Sequence, residues 1–256
     1  MKPIALFLVA IFGFPLTGHS QNRPLRICNE DANNHPYLVK GGVGLDNQQI
    51  EMAAKKADIA VEQIALPWKR CFKELKDGTV DGVAAASYSE DRAVFAQYPM
   101  TKNGELDASL RLRNDSYSLF RQKGGVANWD GKQFMYLTTP VGAQFGYSVV
   151  NDLQKAGVEV ESNYRDAKLL MGQLPRDRLQ LAAMLTKEGD ALLASPEFAG
   201  KIERISPVFI EKPYFVIFGK AFYSSNQKSV EQFWNAIAFA RESPAYEALK
   251  KAPAQK

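Results

Sequence analysis

The sequence predicts an α/β protein built as two lobes joined by hinge strands, and three observations lead there. Short apolar strands alternate with amphipathic helices from Leu25 to Ala86, the pattern of parallel strands joined by right-handed crossovers. Between Arg92 and Trp129 that rhythm stops in polar turns and then resumes, which marks the passage to a second lobe. Near the end, Pro213 to Lys220 forms one more apolar strand, which carries the chain back.

The chain has 256 residues, 46% apolar and 23% charged, enough to bury a core in one large or two small domains. Its net charge of +4 comes with both signs interspersed, so the basic stripe a nucleic-acid partner requires is missing. Residues 1–20 hold Lys2, an apolar run from Ile4 to Phe14, then Pro15, Gly18 and Ser20, the three regions of a secretory signal peptide. About eleven apolar residues fall short of the roughly twenty that cross a bilayer. The expectation is cleavage near Ser20 and an exported chain with no spanning segment. Cys28 and Cys71 then meet an oxidising compartment, where they either bond or stay as two buried free thiols. With only His19 and His35 to ligate, neither a metal nor another cofactor is expected.

Leu25 to Cys28 reads as the first strand, followed by a polar loop, Asn29 to Tyr37. Asp46 is placed to cap a helix with Gln49 three residues on, Leu45 and Ile50 forming a hydrophobic staple. Ile50, Ala53, Ala54 and Ala57 share the apolar face of that helix. Ile59 to Leu66 is a second strand, stopped by Pro67-Trp68. Trp68, Cys71, Phe72 and Leu75 make the next helical stripe, which Asp77-Gly78 ends. Val80 to Ala86 is the third strand. Turns at Asn103-Gly104 and Lys123-Gly124-Gly125 flank the run from Leu110 to Phe120. The second lobe is read as a strand Phe134 to Leu137, a turn at Gln144-Phe145-Gly146 and a helix from Tyr147 to Ala156 closed by Gly157. It continues with a strand Val158 to Val160, a helical turn Ala167 to Met171, a buried strand Leu179 to Leu185 and a helix Lys187 to Ala194. After the returning strand, Val230, Phe233, Trp234 and Ile237 share a helical face, and Ser243-Pro244 opens a last helix.

The stretch from Val83 to Arg92 carries the chemistry. Small residues let a ligand approach the backbone, and beyond them come Ser87, Ser89 and the guanidinium of Arg92, which suit a carboxylate. In open α/β sheets ligands sit beyond the carboxyl ends of strands. Taken alone, the same residues are also an ordinary strand exit with a solvated arginine.

The order of motifs resembles extracellular solute-binding protein family 3, the periplasmic polar amino-acid-binding proteins of bacterial ABC importers, from Leu25 to about Lys250. The resemblance rests on Gly78-Thr79-Val80-Asp81-Gly82, the strand, then Ser87, Ser89 and Arg92. It implies a type II periplasmic-binding-protein-like fold, with lobe 1 over residues 21–115 and 214–256 and lobe 2 over 116–213. It also implies a periplasmic location, a monomer, and Arg92 holding a ligand carboxylate with Ser87 and Ser89. Trp68 resembles the aromatic platform over the ligand; Arg70 and Lys69 beside it read either as a solvated face or, for Arg70, as a side chain pointing into the cleft. Asp31 is similar to the polar residue of the first loop, and Gly146-Tyr147-Ser148 to the glycine-hydroxyl turn whose free amides take the anionic end. One position departs: where the family has an aspartate for the ligand's ammonium, this chain has Leu185. The expected solute is therefore acidic or zwitterionic without being a standard α-amino acid, unless Asp31, Glu30 or Glu188 substitutes.

The implied function is capture of a small carboxylate-bearing solute for an ABC-type permease in the inner membrane. The alternatives are a free-standing sensor that presents its closed form to a membrane receptor and, from another class, a cyclohexadienyl-type dehydratase. Dehydration needs a cleft carboxylic acid of raised pKa, for which Glu30, Asp31 and Glu188 are the candidates.

Overall fold

A computed structural model describes residues 23–251, so the expected signal peptide lies outside the described residues. The first lobe opens with β1 (Leu25–Glu30), α1 (Leu45–Ala57), β2 (Val61–Leu66), α2 (Trp68–Asp77), β3 (Gly82–Ser87), the short α3 (Glu90–Ala93) and β4 (Ala96–Gln97). A long strand β5 (Arg113–Gln122) leads to the hairpin β6 (Asn128–Trp129) and β7 (Phe134–Met135). Then come β8 (Val141–Gln144), α4 (Val149–Lys155), β9 (Val160–Tyr164), α5 (Ala167–Met171), β10 (Leu181–Leu185), α6 (Thr186–Leu193) and β11 (Ile202–Arg204). The second long strand, β12 (Ile210–Gly219), returns to α7 (Lys220–Arg241) and α8 (Pro244–Lys251).

The main sheet runs β2-β1-β3-β12-β5-β10-β8-β9. β1 pairs in parallel with β2 and β3, and β8 does so with β10 and β9. Between these parallel halves lie β5 and β12, antiparallel to their neighbours and to each other. β12 pairs with β5 from Ile210 to Tyr214 and then with β3 from Tyr214 to Phe218. Two strands thus carry the chain from one half to the other and back, the arrangement that lets two lobes hinge. Among the described residues no helix is long and apolar enough to cross a membrane.

Most elements follow from local chemistry. The α2 stripe buries Trp68, Cys71 and Leu75, and Gly78 ends it at φ 72°, a left-handed position suited to glycine. Cys71 points from that face at Cys28 on β1, and the two form a disulfide. On α7, Val230, Phe233, Trp234 and Ile237 are buried against α1 and the sheet. Ser243 Oγ accepts from the amide of Tyr246 at 3.2 Å, capping α8 with Pro244 as its first residue.

Three expectations are corrected. Asp46 does not cap α1; the cap is Gly44, whose amide donates to Asn47 Oδ1 at 3.0 Å. Asp46 is instead fully buried and accepts from Arg113 Nε at 3.0 Å, because a tertiary cation offers it more than a helix end does. Phe134 to Leu137 is not a sheet strand: only Phe134–Met135 is extended, in the side hairpin, where Trp129, Phe134 and Phe209 pack together. The strand of the sheet is Val141–Gln144, too short to show a period but wholly buried. The helix expected from Tyr147 begins only at Val149, since Gly146 turns the chain at φ 81°.

Candidate functional site

β3 ends at the lobe junction. At its start the strand has no room for a side chain: Gly82 lies so close to Ile217 O that a Cβ would sit 2.9 Å from it. Opposite the register shift in β12, Ala85 adopts φ 54°, a strained conformation for a residue with a side chain. Beyond the bend Ser87 is buried, and its Oγ lies 2.6 Å from Ser148 Oγ of the second lobe. The two strand-exit hydroxyls therefore meet each other across the crevice.

Arg92 stands on α3 and turns inward, 7% exposed. Its Nη1 donates to Ser87 O at 2.8 Å on its own lobe, and its Nη2 to Gly146 O at 3.0 Å on the other. The guanidinium lies 4.8 Å from the ring centre of Phe72 and 5.3 Å from that of Trp68, within cation-π range. Among the described residues Arg92 bonds to carbonyls and ring faces, and to no carboxylate. Gly146 O also accepts from Trp68 Nε1 at 3.2 Å. One carbonyl of lobe 2, turned by a glycine at positive φ, is thus held by two side chains of lobe 1.

The structure distributes the expected site residues over three places. Trp68, Ser87, Arg92, Tyr147 and Ser148 line a cavity of about 20 Å³ between the lobes, room for about one water. Gly146 contributes its carbonyl to that wall. Ser89 lies outside, in a polar groove with Glu90, Asp152 and Lys212. Asp31 and Arg70 line a wider recess on the outer side: Asp31 is exposed, 3.9 Å from Lys40, and Arg70 pairs with Glu74 one turn on. The β-strand explains Asp31: β1 runs two residues further than expected, so Glu30 occupies the crevice and Asp31 emerges beyond it. The amide of Tyr147 is engaged with Gln144 O, and Ser148 Oγ faces Ser87 and Lys212, so this turn meets the crevice with hydroxyls and a carbonyl. Leu185 also lines the cavity.

Arg113 and Lys187 escaped the sequence reading, and Glu30 and Glu188 entered it only as candidate acids. Arg113 of β5 also faces the cavity, between Asp46 and Asp115 (Nη1 to Oδ2, 2.5 Å) and 3.9 Å from the ring centre of Tyr37. The i, i+2 spacing of Arg113 and Asp115 on one strand face was the available signal. This arginine is neutralised by two carboxylates, whereas Arg92 is not. Glu30 accepts from Tyr147 Oη at 2.8 Å, and burial raises its carboxyl to about 7, with Tyr147 and Arg92 pulling the other way. Glu188 on α6 is raised to about 8, first by burial and then by the charge of Glu30. Lys187 donates across the junction to Tyr37 Oη at 2.7 Å.

No family model matches the sequence, and no curated protein matches it either. Solved structures do. A histidine kinase sensor domain with similarity to periplasmic binding proteins superposes with a TM-score of 0.70 at 15% identity, covering 89% of this chain and 94% of that one. The ligand-binding core of GluR0 from Nostoc punctiforme, in complex with L-glutamate, gives 0.67 at 16%, covering 88% and 97%. An ancestral arginine-binding protein bound to arginine gives 0.68 at 19%, covering 89% and 96%. An ancestral amino acid-binding protein described as a precursor of cyclohexadienyl dehydratase gives 0.65 at 13%, covering 89% and 94%. At such identities the likeness establishes the periplasmic-binding-protein-like fold.

Proposed function

We propose that this chain is an exported solute-binding protein that takes a small carboxylate-bearing solute, an amino acid or related acid, between two hinged lobes. The observation that carries the reading is Arg92, a buried guanidinium at the lobe junction held by carbonyls and ring faces without a carboxylate. A solute carboxylate matches its fork in two charge-assisted hydrogen bonds, stronger than those to neutral carbonyls. The solute is admitted by parting the lobes, which breaks the contacts of Arg92 and Trp68 with Gly146, of Ser87 with Ser148 and of Tyr147 with Glu30. Closure is then driven by the solute's difference in affinity for the two forms. Lobe 1 comprises residues 21–115 and 214–256 and lobe 2 residues 116–213, so each hinge strand is shared. Trp68 covers the solute; Asp31, Arg70 and Ser89 act at the rim.

The closed monomer is presented in the periplasm to an inner-membrane ABC permease; the arginine-binding neighbours support the capture of a small solute in this fold. The sensor-domain neighbour supports the alternative, delivery of a signal to a membrane receptor. A second reading, a dehydratase, draws on the buried carboxyls of Glu30 and Glu188, raised to about 7 and about 8, which suit a general acid. Turnover of prephenate or arogenate by purified protein tests it.

For the binding reading, a thermal-shift screen of amino acids, dicarboxylates and opines identifies binders by mass action. Arg92→Ala is expected to weaken the best binder by about 2 to 5 kcal/mol with an unchanged far-ultraviolet circular dichroism spectrum. Undiminished affinity in that variant rejects the reading.

A further inference from the structure

We propose that the outer end of the same crevice takes a cationic nitrogen, an ammonium or guanidinium, on the carboxyls of Glu30 and Glu188, and that this pair releases a proton when it does. The inference rests on the reading of Arg92 as the partner of the solute's carboxylate and assigns the opposite end of the solute.

The inner cavity and the outer recess, the latter about 1150 Å³, share two residues of their walls, Glu30 and Trp68. A solute anchored at Arg92 therefore leaves the inner cavity past Trp68 and Glu30 and enters the space lined by Gln144 and Glu188. What waits there is a set of acceptors. Glu188 is 9% exposed and Gln144 2%, and Glu188 Oε2 and Gln144 Oε1 are both buried without a hydrogen-bond partner. Buried acceptors left unpaired are costly in a native structure, and two of them beside a second carboxyl call for a group rich in N–H donors.

The protein's own cations do not meet that need. Six cations line the recess: Lys69 lies over the ring of Phe145, Lys40 faces Asp31, Arg70 pairs with Glu74, Lys73 with Asp77 and Lys168 with Glu197, and Arg165 makes no hydrogen bond to either carboxyl. Arg92 is near enough to draw the Glu30 carboxyl down, yet its hydrogen bonds go to Ser87 and Gly146. The groups facing Glu30 are Tyr147, Arg92 and Asp31; those facing Glu188 are Glu30, Asp166, Gln144 and Asp115. Four of these seven, Asp31, Glu30, Asp166 and Asp115, are acids that favour a bound proton. Burial and mutual repulsion hold protons on the pair near neutrality. An arriving cation reverses the balance: the carboxyl ionises, its proton passes to solvent, and the charge that repulsion disfavoured becomes one half of an ion pair.

The test is titration calorimetry at pH 6.5 in two buffers of different ionisation heat, using L-arginine, L-lysine, their neutral counterparts L-citrulline and L-norleucine, and agmatine, which keeps the guanidinium and lacks the carboxylate. Arginine or lysine is expected to bind at least tenfold more tightly than its neutral counterpart, to release about one proton, and to tighten from pH 5.5 to 8. Glu188→Gln should cost at least tenfold and abolish the release, with Glu30→Gln as the second variant should the first not fold. Equal binding of the neutral counterparts, binding without proton release, or no binding of either cation by the folded protein overturns the inference. Agmatine binding as tightly as arginine would instead overturn the role of Arg92 and leave the carboxyl pair standing.

Discussion

The carboxyl of Glu188 makes a stability prediction that needs no ligand. Glu188→Gln replaces a buried acid with a neutral group of the same shape. The native carboxyl titrates at about 8 against an ordinary 4.5, so the folded chain keeps a proton that the unfolded chain has already lost. In that situation stability is greatest below the unfolded pKa, falls as the pH rises between the two values, and levels off above the native one. At about 1.4 kcal/mol per pH unit, the full displacement amounts to about 5 kcal/mol. Parting the lobes hydrates the carboxylate without unfolding the chain, so part of this is relieved and about 2 to 5 kcal/mol is expected. Urea unfolding of both proteins at pH 5 and pH 9 measures it. The variant should match wild type within about 1 kcal/mol at pH 5 and exceed it by about 2 to 5 kcal/mol at pH 9, a Tm gain on the order of 5 to 15 °C for a chain of this size. A gap that is the same at both pH values, or a wild type that loses nothing between them, would refute a buried protonated Glu188.

Other consequences can be checked on the same apparatus. The disulfide closes a separation of 43 residues, so Cys28→Ser with Cys71→Ser should cost about 4 kcal/mol through the entropy of the unfolded chain; a loss below about 1 kcal/mol in thermal unfolding contradicts that account. Asp46→Ala leaves Arg113 buried with Asp115 as its remaining carboxylate and should destabilise by about 3 kcal/mol in urea, whereas Asp46→Ala at a mere helix cap would cost about 1. Binding of a solute should shift the emission of Trp68, whose Nε1 bond to Gly146 spans the junction, while Trp234, fixed to Val216 O at 2.7 Å, stays silent. Persistence of the shift in Trp68→Phe would locate the change elsewhere.

Elements whose cause is local could be read from the chain alone. The α2 stripe with Gly78, the α5 turn over Ala167–Met171 and the Ser243-Pro244 start of α8 needed only neighbours within one or two turns, and the structure has them there. The same holds for the two-lobed α/β class, since strand and helix periods are set by the apolar faces each must bury. The small residues before Ser87 and the arginine after it lie close together in the chain, so the sequence alone drew attention to this strand exit, where the structure buries Ser87 and Arg92.

What the tertiary structure decided concerns groups brought together from distant parts of the chain. Asp46 looked like a cap because its partner, Arg113, is 67 residues away. Whether Cys28 and Cys71 bond was open until β1 and α2 were packed face to face. Glu30 rather than Asp31 enters the crevice because pairing with β2 lengthens β1 by two residues, and each residue of a strand reverses the facing of the next. The unpaired oxygens of Glu188 and Gln144 became a feature only when β1, β8 and α6 met around one recess. Sequence fixes which side chains are available and how each short segment folds; burial, and with it the charge state of a carboxyl, is a property of everything that closes over it.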